Sequence, residues 1–156
     1  LILVICLLFV WFSIHIFAFL PTKLPVITNV LLYMLLAIVD INKLTILSDT
    51  LGVFHLSKKV PEFLSVILHR DFTFSITLLT FANVYLTTLK RSIKIGISLY
   101  TFSFILCTGQ FLRFNGAVTY EGWNIFYEYL LIIVLMLITY WFGRLFIHLQ
   151  QKEKSL

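Results

Sequence analysis

Apolar residues run along this chain in five blocks of membrane length, and polar residues fall mainly in the gaps between them. A helix of a water-soluble domain pairs an apolar stripe with a polar face, yet residues 1–20 and 123–147 carry no polar face long enough to meet water. A membrane-crossing helix needs ~20 mainly apolar residues. The pattern predicts one all-α domain over residues 1–156, an integral membrane bundle of five transmembrane helices near 1–20, 26–47, 72–89, 93–112 and 123–147. Pro21 and Pro25 bracket the first connection, because proline cannot continue a helix interior. Asn115-Gly116 breaks the chain after the fourth span, and Gly122 precedes the fifth.

The connection between spans two and three has a pattern of its own. Val60, Phe63, Leu64, Ile67 and Leu68 recur at amphipathic-helix spacing, with Pro61 suited to a first turn and Glu62 near the positive helix end. This predicts a short interfacial helix that turns at Arg70-Asp71 into span three. An N-terminal extension of span three is the alternative.

Composition agrees with the pattern: 60% of residues are hydrophobic and only 12% charged, against about 25% charged in an ordinary soluble domain. The net charge of +5 reads as membrane flanks rather than a nucleic-acid surface. Lys90, Arg91 and Lys94 crowd the turn between spans three and four, and Arg144, Lys152 and Lys154 outnumber Glu153 in the tail. With Lys23 these fall on one side of five alternating spans, which should be cytoplasmic, C-terminus included. Lys58, Lys59 and Arg70 in the opposite loop run against that assignment.

Polar groups inside apolar segments are costly, about 2.5–3.5 kcal/mol for a charge at mid-membrane, so their positions carry information. Span two places Asn29, Tyr33, Asp40 and Lys43 on one face; Asp40 and Lys43 are spaced to pair, and Lys43 can snorkel outward. Span three has a stripe of Thr73, Thr77, Thr80, Asn83 and Thr87, and span four has Tyr100, Ser103, Cys107 and Gln110 on one side. Such stripes read first as helix-packing glue. Alternating spans also bring Asp40, Lys43, Arg70, Asp71, Gln110, Arg113, Glu121, Asn124 and Glu128 to one level. Glu121, Asn124 and Glu128 share a face by spacing, and Glu128 lies deep enough to need a partner, with Arg113 or Lys43 as the cations within range. The cluster is either an ion-pair network that fixes packing or a pocket. A pocket could hold a lipid headgroup or phosphate through Arg70 and Arg113, or carry protons through Asp40 and Glu128.

Catalytic signals are weak. His15, His55, His69 and His148 make no metal-ligand spacing, Cys6 and Cys107 read as buried thiols, and no HExxH, nucleophile-elbow, P-loop or dinucleotide-binding motif occurs. No cofactor or metal is expected, and an enzyme assembled from Asp40, His69 and Glu128 is the least favoured reading. Residues 1–20 lack a small-x-small cleavage site and read as a span rather than a signal peptide.

Tyr120-Glu121-Gly122-Trp123-Asn124-Ile125-Phe126, followed by an apolar run to Tyr140-Trp141-Phe142, resembles small multi-pass membrane proteins of spore-forming Firmicutes. Those proteins have no established biochemical function, so the resemblance implies a bacterial inner-membrane location and no activity. By its own chemistry Trp123 is an interface anchor and Asn124 a cap or bridge. The expected role is a non-catalytic structural or interaction subunit of a membrane assembly, in contact with lipids and a second copy or membrane partner, without nucleic acid. A small transport or lipid-binding module using the polar cluster is the alternative.

Overall fold

The computed structural model describes residues 1–153; Lys154, part of the basic tail noted above, lies outside them. Six α-helices form: α1 (Ile2–Ala18), α2 (Val26–Thr45), α3 (Val60–Leu68), α4 (Ser75–Thr87), α5 (Arg91–Phe114) and α6 (Ile125–Glu153). Two short strands, β1 (Phe54–Leu56) and β2 (Val118–Tyr120), pair antiparallel with Phe54 opposite Tyr120 and Leu56 opposite Val118. Four rods are long and apolar enough to cross a membrane: Val26–Thr50, Val60–Thr87, Arg91–Phe114 and Ile125–Glu153. The first helix is apolar but shorter, at 17 residues.

The expected turn at Arg70-Asp71 does not form. Helix α3 continues into α4 through a widened π-helical stretch, His69–Phe74, making one rod of 28 residues. A π turn takes an extra residue per turn and redirects the side chains around it without ending the helix. The apolar stripe of α3 also points the other way from a core-seeking face: Val60, Phe63 and Leu64 are exposed, whereas Ser65 and Val66 are buried. His69 consequently belongs to a helix rather than to a loop.

The α3–α4 rod is the centre of the bundle. Half of its apolar window is buried, against 22% for each of the other three long rods. Leu78 and Ala82 of α4 pack with Leu32 and Leu36 of α2, Ile105 of α5, and Ile132 and Leu135 of α6. A second cluster joins Cys6 of α1 to Val66, Leu112 and Ala117. Cys107, expected to be buried, is exposed on α5.

The hydroxyl stripes serve mostly their own helices. Thr77, Thr80 and Thr87 donate to the carbonyls of Thr73, Ile76 and Asn83, and Thr139 does the same to Leu135. A hydroxyl satisfied this way lets helices approach closely without binding the neighbour. The helix-to-helix bond comes from Asn83, whose Oδ1 accepts from the Leu24 backbone N–H at 2.7 Å and whose Nδ2 donates to Asn29 Oδ1 at 2.7 Å. Asn29 in turn donates to the Leu24 carbonyl at 3.0 Å. This amide pair pins the Pro21–Pro25 connection and the start of α2 to the far end of α4.

The ribbon joins the second connection to the fourth. Ser57 donates to the Ala117 carbonyl at 3.1 Å and Glu121 to the Val53 carbonyl at 2.9 Å, extending the ladder beyond the three paired positions. Gly52, Gly116 and Gly122 supply the left-handed conformations, φ of 62, 72 and 80°, that turn the chain around it. The two connections therefore lie at one end of the bundle, as the parity of spans requires. Thr22 and Thr87 meet at the other end, 3.0 Å apart.

Replacing Asn83 by alanine leaves the Leu24 N–H buried without an acceptor, a loss of about 1–3 kcal/mol. Asn83→Ala should therefore lower the unfolding midpoint in mixed micelles, and Asn29→Ala, which spares the Leu24 bond, should lower it less. Equal midpoints for wild type and Asn83→Ala would remove the amide pair from this role.

Candidate functional site: an ionic chamber beneath the ribbon

At the ribbon end, α2, the π stretch, α5, α6 and β2 line a partly open cavity of about 90 Å³. Liquid water occupies ~30 Å³ per molecule, so the space suits a few waters better than a lipid headgroup. Its polar wall is Asp40, Lys43, His69, Arg70, Tyr120 and Glu128.

Asp40 is the most buried of the charges, 2% exposed, and forms an ion pair with Lys43 one turn along α2. Lys43 also lies over the Phe74 ring, 4.4 Å from its centroid. Both contacts draw the ammonium inward rather than out along the snorkelling path expected for it. Arg70 grips Asp71 through two bonds, Nε to Oδ1 at 2.7 Å and Nη2 to Oδ2 at 3.1 Å. The Asp71 carbonyl, within the π stretch, accepts a bond from the Tyr33 phenol at 3.0 Å. Tyr33 and Asp40 thus steady the two sides of the chamber from one face of α2.

Glu128 takes neutral donors, not the cations expected for it. Gln110 Nε2 donates to its Oε2 at 2.6 Å and the Tyr120 phenol donates to the same oxygen at 3.1 Å. Its other oxygen, Oε1, occupies the space over Gly109; a Cβ there would lie 3.0 Å from it. Glycine at 109 is what admits the carboxylate between α5 and α6. Arg113 remains exposed and stacks on the outer face of Tyr120, 4.6 Å from the ring centroid. Burial, and then the charge of Glu128, hold the Tyr120 phenol well above its ordinary pKa of 10, which keeps its proton available to that carboxylate.

His69 lies 2.9 Å from Thr108 through Nε2. The Thr108 hydroxyl is directed at the carbonyls of Phe104 and Ile105, at 2.9 and 3.1 Å. Its oxygen is left to accept, so Nε2 carries the imidazole hydrogen and Nδ1 is an open acceptor. Trp123 closes the chamber against Phe54, with centroids 5.1 Å apart, and its Nε1 is buried without a partner among the described residues.

Of the nine residues expected at one level, Asp40, Lys43, Arg70 and Glu128 line the cavity, with Asp71 and Gln110 bonded to them. Arg113 touches the site only through Tyr120. Glu121 and Asn124 are exposed and outside it: Glu121 leaves β2 and pairs with His55 at 3.1 Å, and the Asn124 carbonyl accepts from Tyr127 at the start of α6. The face these two were expected to share with Glu128 does not exist, because α6 begins only at Ile125. Sequence reasoning grouped His69 with Asp40 and Glu128 only in its least favoured, enzymatic reading, and missed Tyr120, Gly109 and Trp123 as wall residues. The signal for Tyr120 was its place beside the Gly-Trp-Asn segment; His69 gave none without the π stretch.

No protein-family model, curated protein or solved structure matches the chain.

Two glycines of α5 should respond oppositely to alanine. Gly109→Ala presses on the Glu128 carboxylate and should destabilise by about 1–3 kcal/mol, the usual range for overpacking. Gly96 has open space around it, so Gly96→Ala should stabilise by about 0.4–1 kcal/mol. Thermal unfolding of the two variants beside wild type reads both signs, and a neutral Gly109→Ala would mean the carboxylate is not held there.

Proposed function

We propose that the protein is a small non-enzymatic membrane module that handles protons in the chamber under its ribbon. The observation that carries this reading is the convergence of two carboxylates, an imidazole and a phenol on one cavity of water size. The volume argues against a headgroup. The charge balance, Asp40 and Glu128 against Lys43 and Arg70, favours neither a resident anion nor a resident cation. A proton needs neither room nor net charge, only exchangeable groups linked by hydrogen bonds or water. Anion binding through Arg70 and Arg113 is less well supported, since Arg70 is engaged by Asp71 and Arg113 lies outside the cavity wall.

The reading as a structural or interaction subunit rested on the absence of motifs, the aromatic-rich spans and the hydroxyl stripes. The stripes are largely used within their own helices, and the chamber reading is preferred because it also accounts for the buried ionic groups. A hydrolytic role needs a nucleophile facing a base; the hydroxyl nearest His69 belongs to Thr108, which is turned to its own helix and away from the cavity.

We further infer that α1 crosses as a fifth span, because it reaches from the Cys6 cluster at the ribbon end to Phe17 beside the central core. Its 17 residues rise about 26 Å, close to the ~30 Å of hydrocarbon. The 28-residue central rod rises about 42 Å and exceeds that thickness, which favours a headgroup position for its first turns near Lys59 and Glu62. The basic turn at Lys90–Lys94 supports a cytoplasmic assignment for the end opposite the ribbon, in a bacterial inner membrane.

Two measurements test this. In proteoliposomes with an imposed pH gradient, the wild type should dissipate the gradient faster than empty vesicles, and Asp40→Asn and Glu128→Gln should each abolish the difference while helicity is unchanged. Wild-type vesicles indistinguishable from empty ones would overturn the reading. With native thiols removed, cysteines at 45 and 113 should label from the same side of the membrane and a cysteine at 90 from the other.

A further inference from the structure

A second feature lies at the opposite end of the bundle. Two adjoining grooves run along one face of α6, one of about 460 Å³ beside Ile133, Leu137 and Tyr140, the next of about 540 Å³ beside Arg144 and His148. Phe81 and Tyr85 of α4 floor the first, and Leu99 and Phe102 of α5 form its far wall. At Gly143 the α4 and α6 rods are so close that a Cβ would meet Leu86 at 2.6 Å. The two rods are clamped there, and the slot lies beside the clamp on the α5 side.

The slot is apolar along its length and cationic at its mouth. Lys94 lies over the Tyr85 ring, 5.1 Å from its centroid, and Arg144 donates to the Tyr140 hydroxyl at 3.0 Å. Each cation is thus held by an aromatic side chain that is itself a wall of the groove. Neither has a carboxylate partner: the ion pairs among the described residues engage Lys43, His55, Lys59 and Arg70. Exposed Lys90 and Arg91 flank the same end without an acid nearby in sequence.

We propose that this slot binds one anionic phospholipid of the surrounding leaflet, an acyl chain against Phe81, Leu99 and Leu137 and the phosphate between Lys94 and Arg144. The dimensions fit. From Ile133 to His148 the α6 face rises about 22 Å, against about 15 Å for half a hydrocarbon core, so the apolar part covers a leaflet and the cations reach headgroup level. Guanidinium and ammonium groups free of carboxylates are the side chains that take phosphate, with arginine able to bind it bidentately. The excess of cations at this end, where Glu153 is outnumbered by Lys90, Arg91, Lys94 and Arg144, favours a lipid with net negative charge over a zwitterionic one. Trp141 and Tyr140 at the mouth are interface-seeking side chains.

The inference is independent of the chamber. The full-length protein is reconstituted in nanodiscs of equal phosphatidylglycerol and phosphatidylcholine, released into the gas phase, and weighed by native mass spectrometry. One phosphatidylglycerol should remain bound, at least fivefold in excess over phosphatidylcholine. Lys94→Gln combined with Arg144→Gln, at a half-buried and an exposed position, should erase the preference. Leu137→Trp, which fills the acyl slot, should reduce retention of either lipid, and Lys58→Gln with Lys59→Gln at the ribbon end should leave the preference intact. Equal retention of the two lipids, a preference that survives the double change at 94 and 144, or a dimer without lipid in place of the adduct would each overturn the proposal.

Discussion

Hydrocarbon offers no partner to a buried polar atom, so in a bundle of this kind each one must find its partner in the protein. That constraint explains why the most polar helix is the central one. Helix α4 carries Thr77, Thr80 and Asn83, all at most 1% exposed, and sends most of its hydroxyl bonds back into its own backbone. The small hydroxyl side chains let four neighbours close around it. The perimeter is given to large apolar residues such as Leu8, Met34, Leu99 and Leu137, which keep between 53 and 62% of their surface exposed. Polar inside and apolar outside is the reverse of a water-soluble bundle, and a single solvent change accounts for it.

The π stretch His69–Phe74 is where that rule is turned into a site. An unbroken α-helix would direct the side chains of 69 and 70 differently; the added residue turns both into the chamber while Asp71 stays within reach of Tyr33. The cost of the irregular turn is met locally, since Tyr33 and Ser75 bond to carbonyls within it. Gly109 is the complementary accommodation on α5, giving up a side chain so that Glu128 can enter. The π stretch and Gly109 meet at one cavity, which is where local rules are expected to yield to function.

The four long apolar rods were legible from runs of hydrophobic residues, and the level of the polar cluster was legible from parity, because both follow from one-dimensional spacing. What spacing cannot carry is rotation. Arg70-Asp71 reads as a turn since charges usually end an apolar helix, yet here the charges satisfy each other and the helix continues through them. Glu128 was assigned a cation by charge alone, whereas the nearest donors in three dimensions are an amide and a phenol. Glu121 was placed on α6 by counting backward, but Gly122 lets the strand end first. His69 was read as a loop histidine because nothing in a sequence marks a widened turn.

The two ends of the bundle now differ in a way that bears on mechanism. The ribbon end is capped, nearly neutral and bordered by Phe54 and Trp123; the other is basic and bordered by exposed aromatics. Below the chamber, one turn from Asp40, Leu36 packs with Leu32 and Leu78 in a dry layer. On the proton-handling reading proposed above, a proton on Asp40 or Glu128 has a short way to the ribbon side and an apolar barrier toward the basic side. Net movement across the membrane requires that layer to open, and the rods able to open it are α2 and α6, since α4 is tied to α2 through Asn83 and clamped to α6 at Gly143. Both ties lie at the basic end, so a tilt of α2 or α6 would pivot there and widen the ribbon end first. On that reading the chamber exchanges with one side more readily than with the other, and the proposed lipid slot beside the Gly143 clamp lies at the fulcrum of that movement.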